Sequence, residues 1–255
     1  FFFSKKYLDR SHGKGFTLYG KLDKKIIKSN PSDYDITYDE FDLIVYPSIR
    51  RYDKYFWVVL NRFGHDRVVA IDGEDDEIIS WHSKYCNYFK RELSEIAFSR
   101  GVKPIQLFFP KIIVDDINAK VNSCITKKNI LAPCDPRDRS TFIYKDEVAY
   151  FRQYKESLFG FTKVRGGWEA LRHYEIIASG ALPFFENFKM LPRYCLHNYP
   201  RDLQIKANDL YAKIIKEDLK YDDYKDYYDG LVLDFQHWLL EHGKIYGSLD
   251  LFDIL

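Results

Sequence analysis

The sequence predicts an α/β protein with mainly parallel sheets. Short apolar runs alternate with helix-like segments along the chain, which is the pattern of strands joined by helical crossovers. Hydrophobic residues make up 46% of the chain, a content that argues against disorder. With 255 residues, the chain is long enough for one large domain or two compact ones.

The first half of the chain contains two clear strand patterns around one helical pattern. We predict a strand over 41–49, a helix over 51–63 and a strand over 67–73, then shorter strand or extended segments at 86–93 and 104–113. The alternation lapses in the polar stretch 115–129, where charge rises. This break predicts a boundary between a first domain, 1–120, and a second domain, 121–255.

The second half restarts the alternation with three strand patterns. We predict strands over 129–134, 158–162 and 181–185, and helices over 145–157 and 168–179. Amphipathic helices follow over 202–221 and 230–243, and the Tyr-rich stretch 221–230 is predicted to be a polar connector. Three short strands, each followed by a helix, indicate a Rossmann-like half.

The charge balance excludes several classes of partner. The chain has 39 basic and 38 acidic residues, so no global field attracts nucleic acid or an anionic membrane.

No apolar run approaches the ~18 residues of a membrane span. The four cysteines are too widely spread for a zinc signature, and we expect buried free thiols. We predict a soluble protein, cytoplasmic rather than secreted, without a resident metal or cofactor.

The stretch "KVRGGWEALRHYEIIASGALPFF" (163–185) carries the clearest chemical signal. Gly166 and Gly167 are predicted to open a helix, where unpaired backbone N–H groups favour anions such as phosphate. Lys163 and Arg165 stand just before this point and would add positive charge. The stretch therefore predicts an anion-binding helix start.

Arg172 and Glu175 are three residues apart on the same predicted helix and are neighbours on one stripe. An arginine there can bind a phosphate through two hydrogen bonds, and a carboxylate can accept hydrogen bonds from a ribose diol. Together they indicate a nucleotide. An ordinary surface ion pair explains the same spacing, and the spacing alone leaves both interpretations open.

The same stretch resembles the nucleotide-sugar-binding segment of GT-B glycosyltransferases, in the version found in the exostosin family. The pattern R-x-x-E-x-x-x-x-G-x-x-P is matched by Arg172, Glu175, Gly180 and Pro183, and the resemblance covers residues 129–200. It implies that Glu175 binds the ribose and Arg172 the phosphates of the donor. It also implies two Rossmann-like domains that face each other across a cleft.

The resemblance further implies the reaction. A GT-B-like enzyme of this family would transfer a sugar from a nucleoside diphosphate donor, UDP- or GDP-linked, to a hydroxyl of a glycan acceptor without a metal. Arg137 and Arg139 follow the strand at 129–134, at the strand end where open α/β sheets bind ligands, and are further candidates for the diphosphate. The alternative for these two residues is that they are solvated loop arginines.

The first half offers weaker candidates for the catalytic base. His12 lies in a loop with Gly13 and Gly15, and Asp72 ends a predicted strand. Asp72 also begins the acidic run "DGEDDE", which is either a solvated turn or a divalent-metal site of the GT-A kind. A non-catalytic module that binds nucleotide or glycan is the alternative from another functional class.

Overall fold

The computed structural model describes residues 41–107, 109, 111–120 and 126–247. It confirms an α/β architecture with two parallel sheets, one of four strands and one of three, and the described part contains seven α-helices. Both sheets belong to one compact unit, Leu43–Leu255. The division at residue 120 stays a prediction.

The first sheet has its strands in chain order, and each neighbouring pair is parallel. The strands are β1 (Ile44–Tyr46), β2 (Val68–Asp72), β3 (Asn87–Lys90) and β4 (Lys103–Pro104). The helices of this half are α1 (Phe56–Phe63), α2 (Glu95–Ser99) and α3 (Lys111–Lys120). Parallel neighbours require crossover connections, and α1 and α2 supply two of them.

Helix α1 forms because its apolar residues recur at helical spacing. Phe56, Val59, Leu60 and Phe63 are its buried residues, and they pack in one core with Val68 and other strand residues. The helix begins at Phe56 rather than at the predicted residue 51, because residues 47–51 form a turn.

The extended segment predicted over 104–113 is wrong at residues 111–113, and the polar stretch predicted to break the alternation over 115–129 is helical over 115–120. Helix α3 covers Lys111–Lys120. Its residues Val114 and Ile117 are buried and three apart, so helical spacing was present inside a stretch whose overall polarity hid it.

The second sheet contains β5 (Asn129–Leu131), β6 (Ser157–Thr162) and β7 (Leu182–Phe185), in that order and parallel. Helices α4 (Glu147–Lys155) and α5 (Leu171–Ala178) connect these strands. Helices α6 (Arg201–Glu217) and α7 (Tyr221–Gly247) follow. The central strand β6 is buried along its whole length, as expected for a strand with neighbours on both sides and helices on its faces.

The Tyr-rich stretch 221–230 was predicted to be a connector, and this prediction is wrong. The stretch forms the first part of α7. Tyr224 and Tyr228 are both buried and lie four apart, so the tyrosines follow the helical period. None of the described helices has the length and apolarity needed to cross a membrane. Cys134 and Cys195 are buried free thiols, and Cys86 is a half-buried one.

Candidate functional site

Helix α5 carries the Arg172 and Glu175 motif and packs directly on β6. Gly160 of β6 permits this packing, because a Cβ at Gly160 would lie 2.6 Å from Cγ1 of Ile176. Gly180 ends the helix in the left-handed region, at φ 74°, and its N–H donates to the carbonyl of Ile177. These two glycines fix where α5 lies and where it ends.

Arg172 is a half-buried cation whose Nε has no hydrogen-bond acceptor in the described part of the chain. Its charge interacts with the buried Glu175 carboxylate of the same helix. The guanidinium carbon lies 5.5 Å from the centre of the Phe142 ring. A guanidinium with a shielded N–H that lacks an acceptor is suited to an anion supplied from outside.

Glu175 is buried, which corrects the expectation that it projects towards a ligand. Only 6% of the residue is exposed, and Oε2 accepts a 2.8 Å hydrogen bond from the hydroxyl of Tyr150. Burial raises the pKa of Glu175 to about 7, against the opposing effects of the Tyr150 hydrogen bond and the Arg172 charge. Glu175 thus lies below Arg172 in a buried polar cluster rather than on an open surface.

Three residues of this cluster were missed in the sequence: Cys134, Tyr150 and Tyr154. The hydroxyls of Tyr150 and Tyr154 lie 3.4 Å apart on successive turns of α4, and Cys134 follows the carboxyl end of β5. Burial raises the pKa of the Cys134 thiol, and the Arg172 charge partly opposes this. The readable signal was the spacing of four between two tyrosines on the predicted helix 145–157.

The Gly166–Gly167 turn precedes the helix instead of opening it. Helix α5 begins at Leu171, and the backbone N–H groups of Trp168 and Glu169 donate to the Glu92 carboxylate, at 3.0 and 3.2 Å. The sequence predicted a helix start whose amides bind phosphate, whereas in this structure the amides precede the helix and bind a buried side chain from the end of β3. No local pattern could reveal it, because the contact joins residues 76 positions apart.

The cations next to this turn take different positions. Arg165 is exposed, and its backbone N–H donates to the carbonyl of Gly167 at 3.3 Å. Lys163 is half-buried, and its charge, after the larger effect of Arg137, lowers the pKa of Asp135. Convergence of these cations with Arg172 on one anion stays a prediction.

Arg137 is already paired and lies on the other face of the sheet. Its Nη2 donates to Asp135 at 2.6 Å, and its guanidinium lies 3.9 Å from the centre of the Phe161 ring. Phe161 points away from α5, because its neighbour Gly160 faces α5 and side chains alternate along a strand. Arg137 and Arg172 therefore do not converge on one diphosphate here. Arg139 is exposed in a short 3-10 turn.

Asp72 is buried and fully engaged at the carboxyl end of β2. It accepts from the Tyr88 hydroxyl at 2.7 Å and pairs with Lys90 at 3.1 Å, and Lys90 is itself buried. It also accepts from the N–H of Glu74 at 3.1 Å, and its Oδ2 lies 3.8 Å from Nη1 of Arg50. A carboxylate held in this way does not present a free oxygen to an acceptor hydroxyl, so the structure argues against Asp72 as the base.

Three further carboxylates of the acidic run are also ion-paired. Their partners are Arg51 for Glu74, Arg91 for Asp75, and Arg50 for Asp76. Within the described residues no group of three or more metal-ligating side chains is gathered at one point. The other base candidate, His12, lies outside the described residues.

Comparison with known protein families, with curated proteins and with solved structures found no match for this chain. The exostosin resemblance therefore rests on the four motif residues and their spacing.

Proposed function

We propose that this chain is a glycosyltransferase that uses a nucleoside diphosphate sugar as donor and a glycan hydroxyl as acceptor. The observation that carries the proposal is Arg172 on the helix that follows β6, because its buried Nε has no hydrogen-bond acceptor in the described residues. Parallel α/β sheets bind ligands at the carboxyl ends of their strands, and Cys134 and Lys163 follow two such ends beside the motif helix.

The reaction would break the bond between the anomeric carbon of the sugar and the diphosphate. Negative charge then grows on the leaving diphosphate, and a fixed guanidinium stabilises it, by ~2–4 kcal/mol for a well-placed group in a dry site. Glu175 is buried and holds Tyr150, so in this proposal it positions the wall of the donor site rather than contacting the ribose. In this proposal the two sheets serve as the halves of a GT-B-like arrangement, with the donor on the β5–β7 side.

Four matched variants test the proposal. Thermal unfolding is measured with UDP-, GDP- and CMP-sugars, and release of free diphosphate is measured for the donors that stabilise the wild type. Ligand at 100 times its Kd adds ~2.7 kcal/mol of stability. We expect Arg172→Met and Glu175→Gln to lose this stabilisation. Arg152→Gln removes an exposed charge on α4 and serves as the control, with unchanged binding expected.

Tyr150→Phe is the fourth variant, because it keeps the ring and removes the hydroxyl that holds Glu175. It should weaken donor binding less than Glu175→Gln does. If no sugar nucleotide stabilises the wild type, or if Arg172→Met binds donor as the wild type does, the glycosyltransferase proposal is wrong.

A non-catalytic nucleotide-binding module is the second candidate, and one observation favours it. Asp72, the described candidate for the base, is held by Tyr88 and Lys90. Under this alternative, sugar nucleotides stabilise the fold through Arg172, but no free diphosphate appears on long incubation with or without glycan acceptors. Release of diphosphate that depends on Arg172 excludes the module.

A further inference from the structure

The acidic run of the first half touches the Gly166–Gly167 turn of the second half. A Cβ on Gly166 would lie 2.6 Å from Oδ2 of Asp75, and a Cβ on Gly167 would lie 2.4 Å from Oε1 of Glu92. Two carboxylates therefore lie against the backbone of one turn, in the space that the Cβ of any other residue would enter. This is the approach that a phosphate group makes to glycine-rich backbone.

Arg91 holds this junction together and retains unused hydrogen-bonding capacity. Its Nη2 pairs with Asp75, and its Nη1 donates to the carbonyl of Glu169 at 3.1 Å. Arg91 is only 7% exposed, and its Nε is buried without a partner in the part of the chain that the structure describes. A guanidinium carries five N–H donors in a fork that fits phosphate, so this residue can bind more than one carboxylate oxygen.

The two carboxylates differ in how firmly they are held. Glu92 is 2% exposed and accepts from two backbone N–H groups, so it is a permanent part of the turn. The side chain of Asp75 is 59% exposed, and it pairs with Arg91. Asp75 can move into solvent when another anion arrives, and the buried charge of Arg91 needs such an anion when Asp75 leaves.

We propose that Arg91 and the Gly166 turn form a phosphate-type anion site, and that Asp75 closes it in this structure by occupying the position of the anion. An incoming phosphate or diphosphate displaces Asp75, takes over Arg91 and approaches Gly166. The inference rests on the proposed function in one respect: the natural occupant is then the diphosphate of the donor. Asp75 acts as a built-in competitor that sets the donor affinity.

Charge supports this exchange. A diphosphate brings more negative charge to Arg91 than one carboxylate does, and it can accept two parallel hydrogen bonds from the guanidinium. The fixed charge of Glu92 opposes binding of a second anion. Two backbone N–H groups donate to Glu92, and their dipoles partly offset its charge.

The test measures binding of inorganic pyrophosphate by calorimetry to four proteins. Asp75→Asn removes the competing charge with little change of shape, and we expect pyrophosphate to bind about tenfold more tightly, ~1.4 kcal/mol. Asp76→Asn is the matched control: it removes the same charge from the next residue, whose partners are Arg50 and Lys90. It should bind pyrophosphate as the wild type does.

The fourth protein combines Asp75→Asn with Arg91→Lys, which keeps the charge but loses the fork, and the gain should disappear. Asp75→Ser provides a second way to remove the carboxylate if the asparagine variant unfolds. Equal affinity of the Asp75 variants and Asp76→Asn overturns the inference, as does a gain that survives Arg91→Lys.

The two proposals fail in distinguishable ways. In the first case, Asp75→Asn changes neither donor turnover nor pyrophosphate affinity. This result overturns the anion-site proposal and leaves the glycosyltransferase proposal standing. A gain in pyrophosphate affinity without binding of any sugar nucleotide supports the anion site and removes the glycosyltransferase. Absence of both kinds of binding removes both proposals.

Discussion

The Tyr150 hydroxyl donates a 2.8 Å hydrogen bond to the Glu175 carboxylate, and both groups are buried. The carboxylate keeps one hydrogen-bonding partner and loses water, and burial dominates: the pKa of Glu175 rises to about 7. A carboxyl with this pKa exchanges its proton near neutral pH. The fold is thereby sensitive to pH at the motif helix.

Glu175→Gln should stabilise the protein at pH 8 and have little effect at pH 4.5. The pKa of Glu175 is higher in the folded protein than in the unfolded chain, so its stabilising contribution is complete below pH 4.5 and is lost as pH rises through 7. A difference of about 2.5 units corresponds to ~3 kcal/mol as an order of magnitude. Urea unfolding at both pH values measures it.

Glu217→Gln on α6 is the control for that comparison, because Glu217 is exposed at the end of the helix. Its free energy of unfolding should differ from the wild type by the same small amount at both pH values. If Glu175→Gln behaves like this control, the Glu175 carboxyl is not buried in solution.

Gly167→Ala should destabilise the protein because its Cβ would lie 2.4 Å from Oε1 of Glu92. Overpacking of this kind costs ~1–3 kcal/mol. Glu92→Ala removes the obstacle but also leaves the N–H groups of Trp168 and Glu169 without their acceptor. A double-mutant cycle by chemical unfolding should therefore show that Gly167→Ala costs at least ~1 kcal/mol less in the Glu92→Ala background. Strictly additive effects would contradict the proximity of these residues.

The sequence predicted the strands and crossovers of the second sheet well because local periodicity determines them. Strands β5, β6 and β7 overlap the predicted segments, and α4 lies inside the predicted 145–157. Apolar spacing along one segment is enough for such elements. The prediction from apolar spacing failed at α3 and at the start of α7, where polar residues outnumber the few buried ones.

The site was predicted less well because its defining contacts join distant segments. Arg172 and Glu175 were identified from their spacing, but the burial of Glu175 depends on Tyr150 of another helix. Glu92 reaches the turn from 76 positions away, and Asp72 is engaged by Lys90 of the neighbouring strand. Sequence spacing shows which residues share an element, and it does not show which side chain from elsewhere occupies the space beside them.

Gly180→Ala should destabilise the end of α5. Gly180 has φ 74°, where a Cβ is strained, although the nearest atom to an added Cβ would be Nε2 of Gln236 at 3.6 Å. The cost therefore comes from backbone conformation rather than from collision, and we expect ~1 kcal/mol. Gly230→Ala is the matched control: Gly230 lies inside α7 with open space around its Cα, and alanine should be neutral or stabilising there. Thermal unfolding of both variants checks the difference in sign.

His173 should make the protein sensitive to acid. Burial lowers its pKa to about 4, and it contacts Thr162 Oγ1 through Nδ1 at 3.0 Å and the Trp168 carbonyl through Nε2 at 2.9 Å. These partners fit a neutral ring that donates from Nε2 to the carbonyl and accepts at Nδ1 from the hydroxyl. Because the folded protein disfavours protonation, the contribution of His173 is complete above pH 6.5 and is lost as pH falls towards 4, by ~3 kcal/mol as an order of magnitude. His173→Gln should be less stable than the wild type at pH 7 and should lose less stability between pH 6.5 and 4.5. An equal loss in both proteins over that range would show that another group causes the acid sensitivity.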